Sequence, residues 1–190
     1  LVGSEMCIRD RINAFVVRHP EATFLVDPGV CVDVVGRAVA ELPWALRVVV
    51  TPGRDVIDIR RALVLAEIDE TAIDFALPTH LHWDHVAGLL DLPGLPVHLN
   101  RPEHTWMMGE RLPPQGGVRP ALRDRPVTLY DLDGPPILTF TRSLDLFGDR
   151  SVILVDLPGH TPASVGILAQ TASGPTLLAG DAVWSLSLIH

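Results

Sequence analysis

A chain of 190 residues, 47% hydrophobic and 20% charged, has the composition of a folded domain with a sizeable core and excludes a disordered segment. Its formal net charge of −8 argues against nucleic acid and anionic membranes as partners. The two cysteines, Cys7 and Cys31, form no disulfide framework, and no apolar run approaches the ~20 residues that span a bilayer. The expectation is therefore a cytoplasmic protein in a reducing compartment, acting on a small molecule.

The opening "LVGSEMCIRDR" and the closing "SLSLIH" resemble translated sequencing-adapter read-through, so residues 1–11 and 185–190 are expected to lie outside the fold. That leaves one domain over residues 12–184. "NAFVVRHPEATFLVDPG" reads as two strands joined at "HPEA", with Phe15, Val16 and Val17 answered by Phe24, Leu25 and Val26. Asp27-Pro28-Gly29 ends the second strand in a turn. "DVIDIRRALVLAEI" predicts an amphipathic helix with Ile57, Leu63, Leu65 and Ile68 on its apolar face. "AIDFALPTH" predicts a buried strand, "DHVAGLLDL" a short helix and "PVHLN" another strand. "RPEHTWMMGE" predicts a helix with Pro102 in its first turn. On it, His104, Trp106, Met107 and Met108 read as a packing face or, less simply, as pocket lining. Prolines and glycines from Arg111 to Pro126 predict a long loop or lid, and Arg119, Arg123 and Arg125 read as solvated charge. The remainder reads as β-rich: "PILTFT", "SVILVDLPGH", "SVGILAQT" and "TLLAGDAV". Strands mixed with helices at this length predict a layered α/β domain.

Chemistry concentrates in "THLHWDH" at residues 79–85. On an extended segment His80 and His82 project from one face. Asp84 and His85 follow where the chain turns into a helix. Imidazole nitrogen and carboxylate oxygen suit zinc and similar cations, which take about four ligands at ~2.0–2.2 Å. The four side chains could serve one ion, but the divergence of Asp84 and His85 from the first pair favours two neighbouring ions. Burying four such groups with no metal would be costly. Two other apolar strands each deliver one ligand-type residue at the C-terminal end, where α/β sheets commonly bind. They are His160 in "DLPGHTPAS" and Asp181 in "LLAGDAVW". His19, His98 and His104 lack a ligand pattern and read as surface or packing residues.

HxHxDH, then a lone histidine in "PGHTP", then "GD", resembles the metallo-β-lactamase-fold hydrolase superfamily, and "FLVDPG" resembles its early strand–turn motif. The likeness extends over most of residues 12–184. It implies a four-layer αββα sandwich with metals at one edge of its two sheets. By the same resemblance His80, His82 and His160 hold a first metal, Asp84 and His85 a second, and Asp181 bridges them. Asp27 becomes a buried carboxylate behind the metals. The implied cofactor is Zn2+, two per complete domain, with Fe or Mn as the alternative. Family members place a further metal-ligand histidine tens of residues beyond the bridging aspartate. Here the chain stops after His190, which falls in the adapter-like segment and is not assigned to the metal. The expectation is a domain truncated at both ends, with its second site one ligand short.

The reaction so implied is attack by hydroxide, which the cations make available near neutral pH, on a polarised carbonyl or phosphoryl centre. Asp84 would orient the nucleophile and pass its proton to the leaving group. "LHWDHVAG" and "PGHTPAS" look most like the branch that includes acyl-homoserine-lactone lactonases. That branch carries a tyrosine three residues after the bridging aspartate, where Trp184 stands here as a candidate pocket residue without an acidic hydroxyl. The reading is thus a zinc-dependent hydrolase of an ester, lactone or thioester. The alternatives are a mononuclear-iron oxidoreductase of persulfide dioxygenase type and an inactive metal-binding fragment.

Overall fold

Alternating apolar residues on short strands let each sheet bury both faces, and the structure, a computed structural model, uses that alternation throughout. It describes residues 13–49, 56–109 and 119–183. The adapter-like segments, Trp184, Cys7 and residues 111–118 of the expected lid lie outside these. Strands β1 (Phe15–Arg18) and β2 (Thr23–Val26) form the expected antiparallel hairpin, with Phe15 opposite Val26 and Val17 opposite Phe24. Strands β3 (Phe75–Leu77), β4 (Val97–Asn100) and β5 (Val127–Tyr130) continue the sheet in parallel, in the order β1-β2-β3-β4-β5. A second, antiparallel sheet runs β6 (Ser143–Asp145), β7 (Val152–Asp156), β8 (Val165–Thr171) and β9 (Gly174–Leu178).

The two sheets pack face to face. Phe24, Val26, Phe75 and Leu77 from the first meet Val152, Leu154, Val165 and Ile167 from the second. The intervening residues point the other way. Leu25 joins Ile59, Leu63 and Leu92, and Ala76, Val97 and Leu99 join Val86, Leu89 and Met107. Five helices are described: α1 (Val34–Arg37), α2 (Trp44–Val49), α3 (Ile59–Leu65), α4 (Trp83–Val86) and α5 (Arg101–Gly109). Of these, α3, α4 and α5 cover the outer face of the first sheet. On the outer face of the second, Ile153, Val155 and Leu168 lie under Ile137 and Phe140. The architecture is the mixed α/β sandwich expected.

Several local expectations change. Helix α3 spans seven residues, and its buried face is Ile59 and Leu63; Ile57 and Leu65 are exposed. Asp58 caps it, accepting from the Arg61 amide, so the helix starts after Ile57. "PILTFT" makes no strand. It folds into a tight hairpin bridged by Ile137 and Phe140, with Leu138 at φ 53, because a left-handed residue ends strand extension. Strand β5 and helices α1 and α2 appear where no element was expected. Within the expected loop, Arg119–Leu122 forms a 3-10 turn.

Arg125 is not solvated. Its guanidinium is half-buried and donates to the carbonyls of Leu89 (2.6 Å), Leu95 (2.9 Å) and Leu92 (3.2 Å). With Arg60 on the Asp91 carbonyl and Arg37 on the Asp91 carboxylate, it anchors the 3-10 segment Ala87–Asp91 that follows α4. That segment also touches the turn after β2. Gly88 donates to the Gly29 carbonyl at 2.8 Å, and a Cβ at position 88 would stand 2.2 Å from the Pro28 carbonyl oxygen. Gly88→Ala is therefore expected to lower the stability of the folded chain by about 1–3 kcal/mol, as overpacking against fixed backbone does. Urea denaturation monitored by far-UV circular dichroism measures it.

Candidate metal centre

Strands β2, β3, β7 and β9 all end at one rim of the sandwich, and each is followed within a few residues by a titratable side chain: Asp27, the His80–His85 run, His160 and Asp181. The residues joining these ends carry the positioning. Val165 at the start of β8 donates to the Thr79 carbonyl at 2.9 Å, tying the second sheet to the first ligand loop. Gly180 has φ 50, and a Cβ there would lie 2.5 Å from Thr79 Oγ1, so only glycine lets the Asp181 turn approach so closely.

Two groups of ligand atoms converge, each with all its atoms within 4.8 Å of one another: His80, His82 and His160, and His80, His85 and Asp181. His82 Nδ1 and His160 Nε2 are 2.7 Å apart. His85 Nε2 lies 3.0 Å from Asp181 Oδ1, and His160 Nε2 lies 3.3 Å from Asp181 Oδ2, so one aspartate touches both groups. Asp84 is more peripheral, its carboxylate 3.9 Å from His85 Nε2. All six side chains expected at the centre are thus gathered at one rim.

Asp27 sits directly behind them. It is 3% exposed, its backbone is left-handed at φ 48, and its carboxylate accepts from the Thr79 amide (2.7 Å), the Thr79 hydroxyl (2.8 Å) and His85 Nδ1 (2.9 Å). With Nδ1 engaged there, Nε2 of His85 is the nitrogen turned toward Asp181. Thr79 Oγ1 also lies 3.1 Å from His80 Nδ1, which leaves Nε2 as the atom His80 presents to both groups. That Nε2 is buried and has no hydrogen-bond partner among the described residues. An unsatisfied buried imidazole nitrogen between two sets of donors is what a cation would complete. The donor set, three or more imidazoles with carboxylates, suits zinc, iron or manganese.

Electrostatics sharpen the contrast between the histidines. Burial, followed by the neighbouring His85 and His82, holds His80 well below the usual imidazole range. Burial alone would lower His85 too, but hydrogen bonds to Asp181 and Asp27, with the charges of Asp27 and Asp84, outweigh it and raise its pKa to about 10. Burial pushes Asp84 upward, whereas Asp181, despite its burial, is held low by His85.

Reading from the sequence missed four polar residues around the site. Thr79 lies inside the quoted motif but serves as a link, not a ligand. Asn100 at the end of β4 donates to the Ala163 carbonyl at 3.0 Å, and Glu103 and Thr161 are joined at 2.9 Å in the interior. Thr79 and Thr161 stand directly beside motif histidines, whereas Asn100 and Glu103 carry no local signal. Among the other histidines, His19 stacks on Phe147 and pairs with Asp149, and His98 stacks on Phe75. Met107 is fully buried in the α5 packing face, while Met108 is exposed. Trp106 reaches the rim, its ring 6.0 Å from that of His82.

The chain belongs to the metallo-beta-lactamase superfamily, whose profile matches residues 8–190. It is 25% identical over 179 residues to an N-acyl homoserine lactonase AttM from Azorhizobium caulinodans, covering 90% of this chain and 65% of that protein. A protein of the same name from Rhizobium radiobacter is 23% identical over 180 residues, with the same coverage. The chain therefore spans a little under two thirds of these relatives. Among solved structures, an N-acyl homoserine lactone hydrolase with N-hexanoyl-L-homoserine at its catalytic metal centre superposes with a TM-score of 0.60. It is 17% identical, and the match covers 87% of this chain and 61% of that one. The hydrolase AbOPH of the beta lactamase superfamily gives 0.58 at 19% identity, over 90% and 55%.

The opposed shifts of His80 and His85 predict a stability maximum for the metal-free chain. Below about pH 6.5 the unfolded chain protonates His80 and the folded chain resists, so stability falls with pH. Above about pH 6.5 the folded chain keeps the His85 proton that the unfolded chain loses, so stability falls again as pH rises toward about 10. Each limb has a slope of at most about 1.4 kcal/mol per pH unit per proton. Urea titrations of chelator-treated protein from pH 4 to 10 measure it, and His85→Gln is expected to flatten the alkaline limb.

Proposed function

We propose that this chain carries the metal centre of a hydrolase that opens a lactone, ester or thioester bond. His80 Nε2 carries the reading: a buried nitrogen with no hydrogen-bond partner among the described residues, placed where the two ligand groups meet. In this reading His80, His82 and His160 would hold one divalent cation and His85 and Asp84 a second, with Asp181 in contact with both sets of histidines. Zinc fits this donor set, and when bound such a pair supplies Lewis-acid polarisation of the substrate oxygen and a lowered pKa for water. The chain's own residues do the rest. Asp27 and Thr79 hold the imidazoles of His85 and His80 in the orientations described above. Asp84, partly exposed at the edge of the site and raised in pKa by its burial, takes the proton from the attacking water and delivers it to the leaving alkoxide or thiolate. Trp106 lies against the His82 side of the rim and stands as one apolar wall for the acyl portion of a substrate. The lactonase names of the two curated relatives support a lactone as the first substrate to try.

Metal analysis and a substrate panel test this. The chain is expected to retain zinc after dialysis, and its urea midpoint is expected to rise with added zinc and drop with chelator, because a ligand that binds only the folded state stabilises it. His80→Ala should weaken retention of the cation it shares with His82 and His160 and shrink the zinc-dependent rise in midpoint. One iron per chain, with no hydrolysis of any ester, would instead favour an oxidoreductase. Asp84→Asn is expected to lower turnover of an acyl-homoserine lactone by about 10²–10⁴-fold, the range of a lost general acid–base group, with an unchanged urea midpoint in the chelator-treated chain. Full activity in that variant would remove Asp84 from the proposed chemistry.

A further inference from the structure

Glu103 lies in the first turn of α5, where a carboxylate normally faces solvent and the positive end of the helix. Here it is 2% exposed and points inward. Its two oxygens serve different segments. Oε1 accepts from the amide of Leu81, the residue between His80 and His82, at 3.1 Å. Oε2 accepts from the hydroxyl of Thr161, the residue after His160, at 2.9 Å. Because Thr161 Oγ1 spends its only hydrogen on Glu103, the 2.6 Å contact between Thr161 Oγ1 and Ser164 Oγ has Ser164 as donor. The loop bearing His160 is thereby closed on itself and joined to the loop bearing His82 through one side chain.

A buried carboxylate is a poor source of stability. An apolar residue of similar volume would pack against Met107 and its neighbours without desolvating a charge. What Glu103 supplies is position. Two nitrogens on one tetrahedral cation at ~2.0–2.1 Å stand about 3.3 Å apart, so loops separated by 78 residues must hold their spacing to a few tenths of an ångström.

We propose that Glu103 is a positioning residue that sets the register between the His80–His82 segment and the His160 loop, the two sides of the first ligand group. The proposal rests on the metal-centre reading for its consequence, and for its structural content on the hydrogen bonds from Leu81 and Thr161, which the nearby Ala163 amide reinforces. Glu103→Gln can keep the tie, because its amide oxygen accepts from Leu81 and its NH2 donates to a Thr161 hydroxyl turned toward Ser164. Glu103→Leu cannot, and Thr161→Val removes one arm only.

Cobalt(II) titrations of the full chain, with chelator competition and visible absorption, measure the effect beside hydrogen exchange of the metal-free protein. Glu103→Leu is expected to bind cobalt 10–100-fold more weakly, the usual cost of losing a group that orients ligands. Its ligand-field bands should lose intensity, and exchange should quicken in residues 80–82 and 160–164 together while β7 and β8 stay protected. Glu103→Gln should remain close to the unaltered chain, with Thr161→Val between the two. Unchanged cobalt affinity in Glu103→Leu would overturn the proposal, as would Glu103→Gln weakening as much as Glu103→Leu. Should Glu103→Leu not fold, the ordering of Glu103→Gln above Thr161→Val decides. If the unaltered chain binds no cobalt, the metal-centre reading fails, and the tie is then judged by exchange: it stands if both loops loosen together in Glu103→Leu and falls if they do not.

Discussion

The structure of the rim depends on the environment of one buried carboxylate. Asp27 receives the Thr79 amide, the Thr79 hydroxyl and Nδ1 of His85, and these donors come from two segments that follow β3. Burying a carboxylate is tolerable only when it is fully hydrogen-bonded, so the end of β2, the Thr79 loop and α4 must assemble together. The left-handed backbone at Asp27 is a conformation that aspartate tolerates better than most residues, and the three hydrogen bonds hold it there. Once Asp27 is placed, the orientation of His85 follows, and with it the face that His85 turns toward Asp181.

The sandwich beneath supplies a rigid base for this assembly. Alternation along β2, β3, β7 and β8 commits one set of side chains to the interface between sheets and the other to the outer faces. Four strand ends are thereby fixed at one edge to within the tolerance of close packing. The loops that leave those ends are short, and links such as Val165 to Thr79 and Gly88 to Gly29 leave them little freedom to diverge. Functional side chains on such loops inherit the precision of the strands.

Much of this was legible in the residues. Histidines and aspartates placed directly after apolar strands, as in "THLHWDH", "PGHTP" and "AGDA", stand out because such types seldom follow buried runs without a purpose. The hairpin of β1 and β2 was legible for a similar reason, since both strands pair apolar residues in register. The groups that hold the ligands were not legible. Glu103 has the local appearance of an ordinary first-turn carboxylate, and only the fold of segments 22 and 58 residues away turns it inward. Arg125 was misread because a long apolar stem lets a guanidinium lie below the surface and reach carbonyls there. "PILTFT" has the composition of a strand, but the left-handed residue at Leu138 cannot be seen in composition. Helix α3 was placed too broadly because Asp58, its cap, looked like one more charge in the pattern.

His80 contributes the same ring to both candidate ligand groups, and this has a genetic consequence. Changes at His82 affect one group and changes at His85 the other, so their effects can be compared and combined. A change at His80 removes an imidazole from beside His82 and His160 and also the ring packed 4.1 Å from that of His85. Substitutions at position 80 are therefore expected not to add simply to those at His82 or His85, because the three rings are in contact.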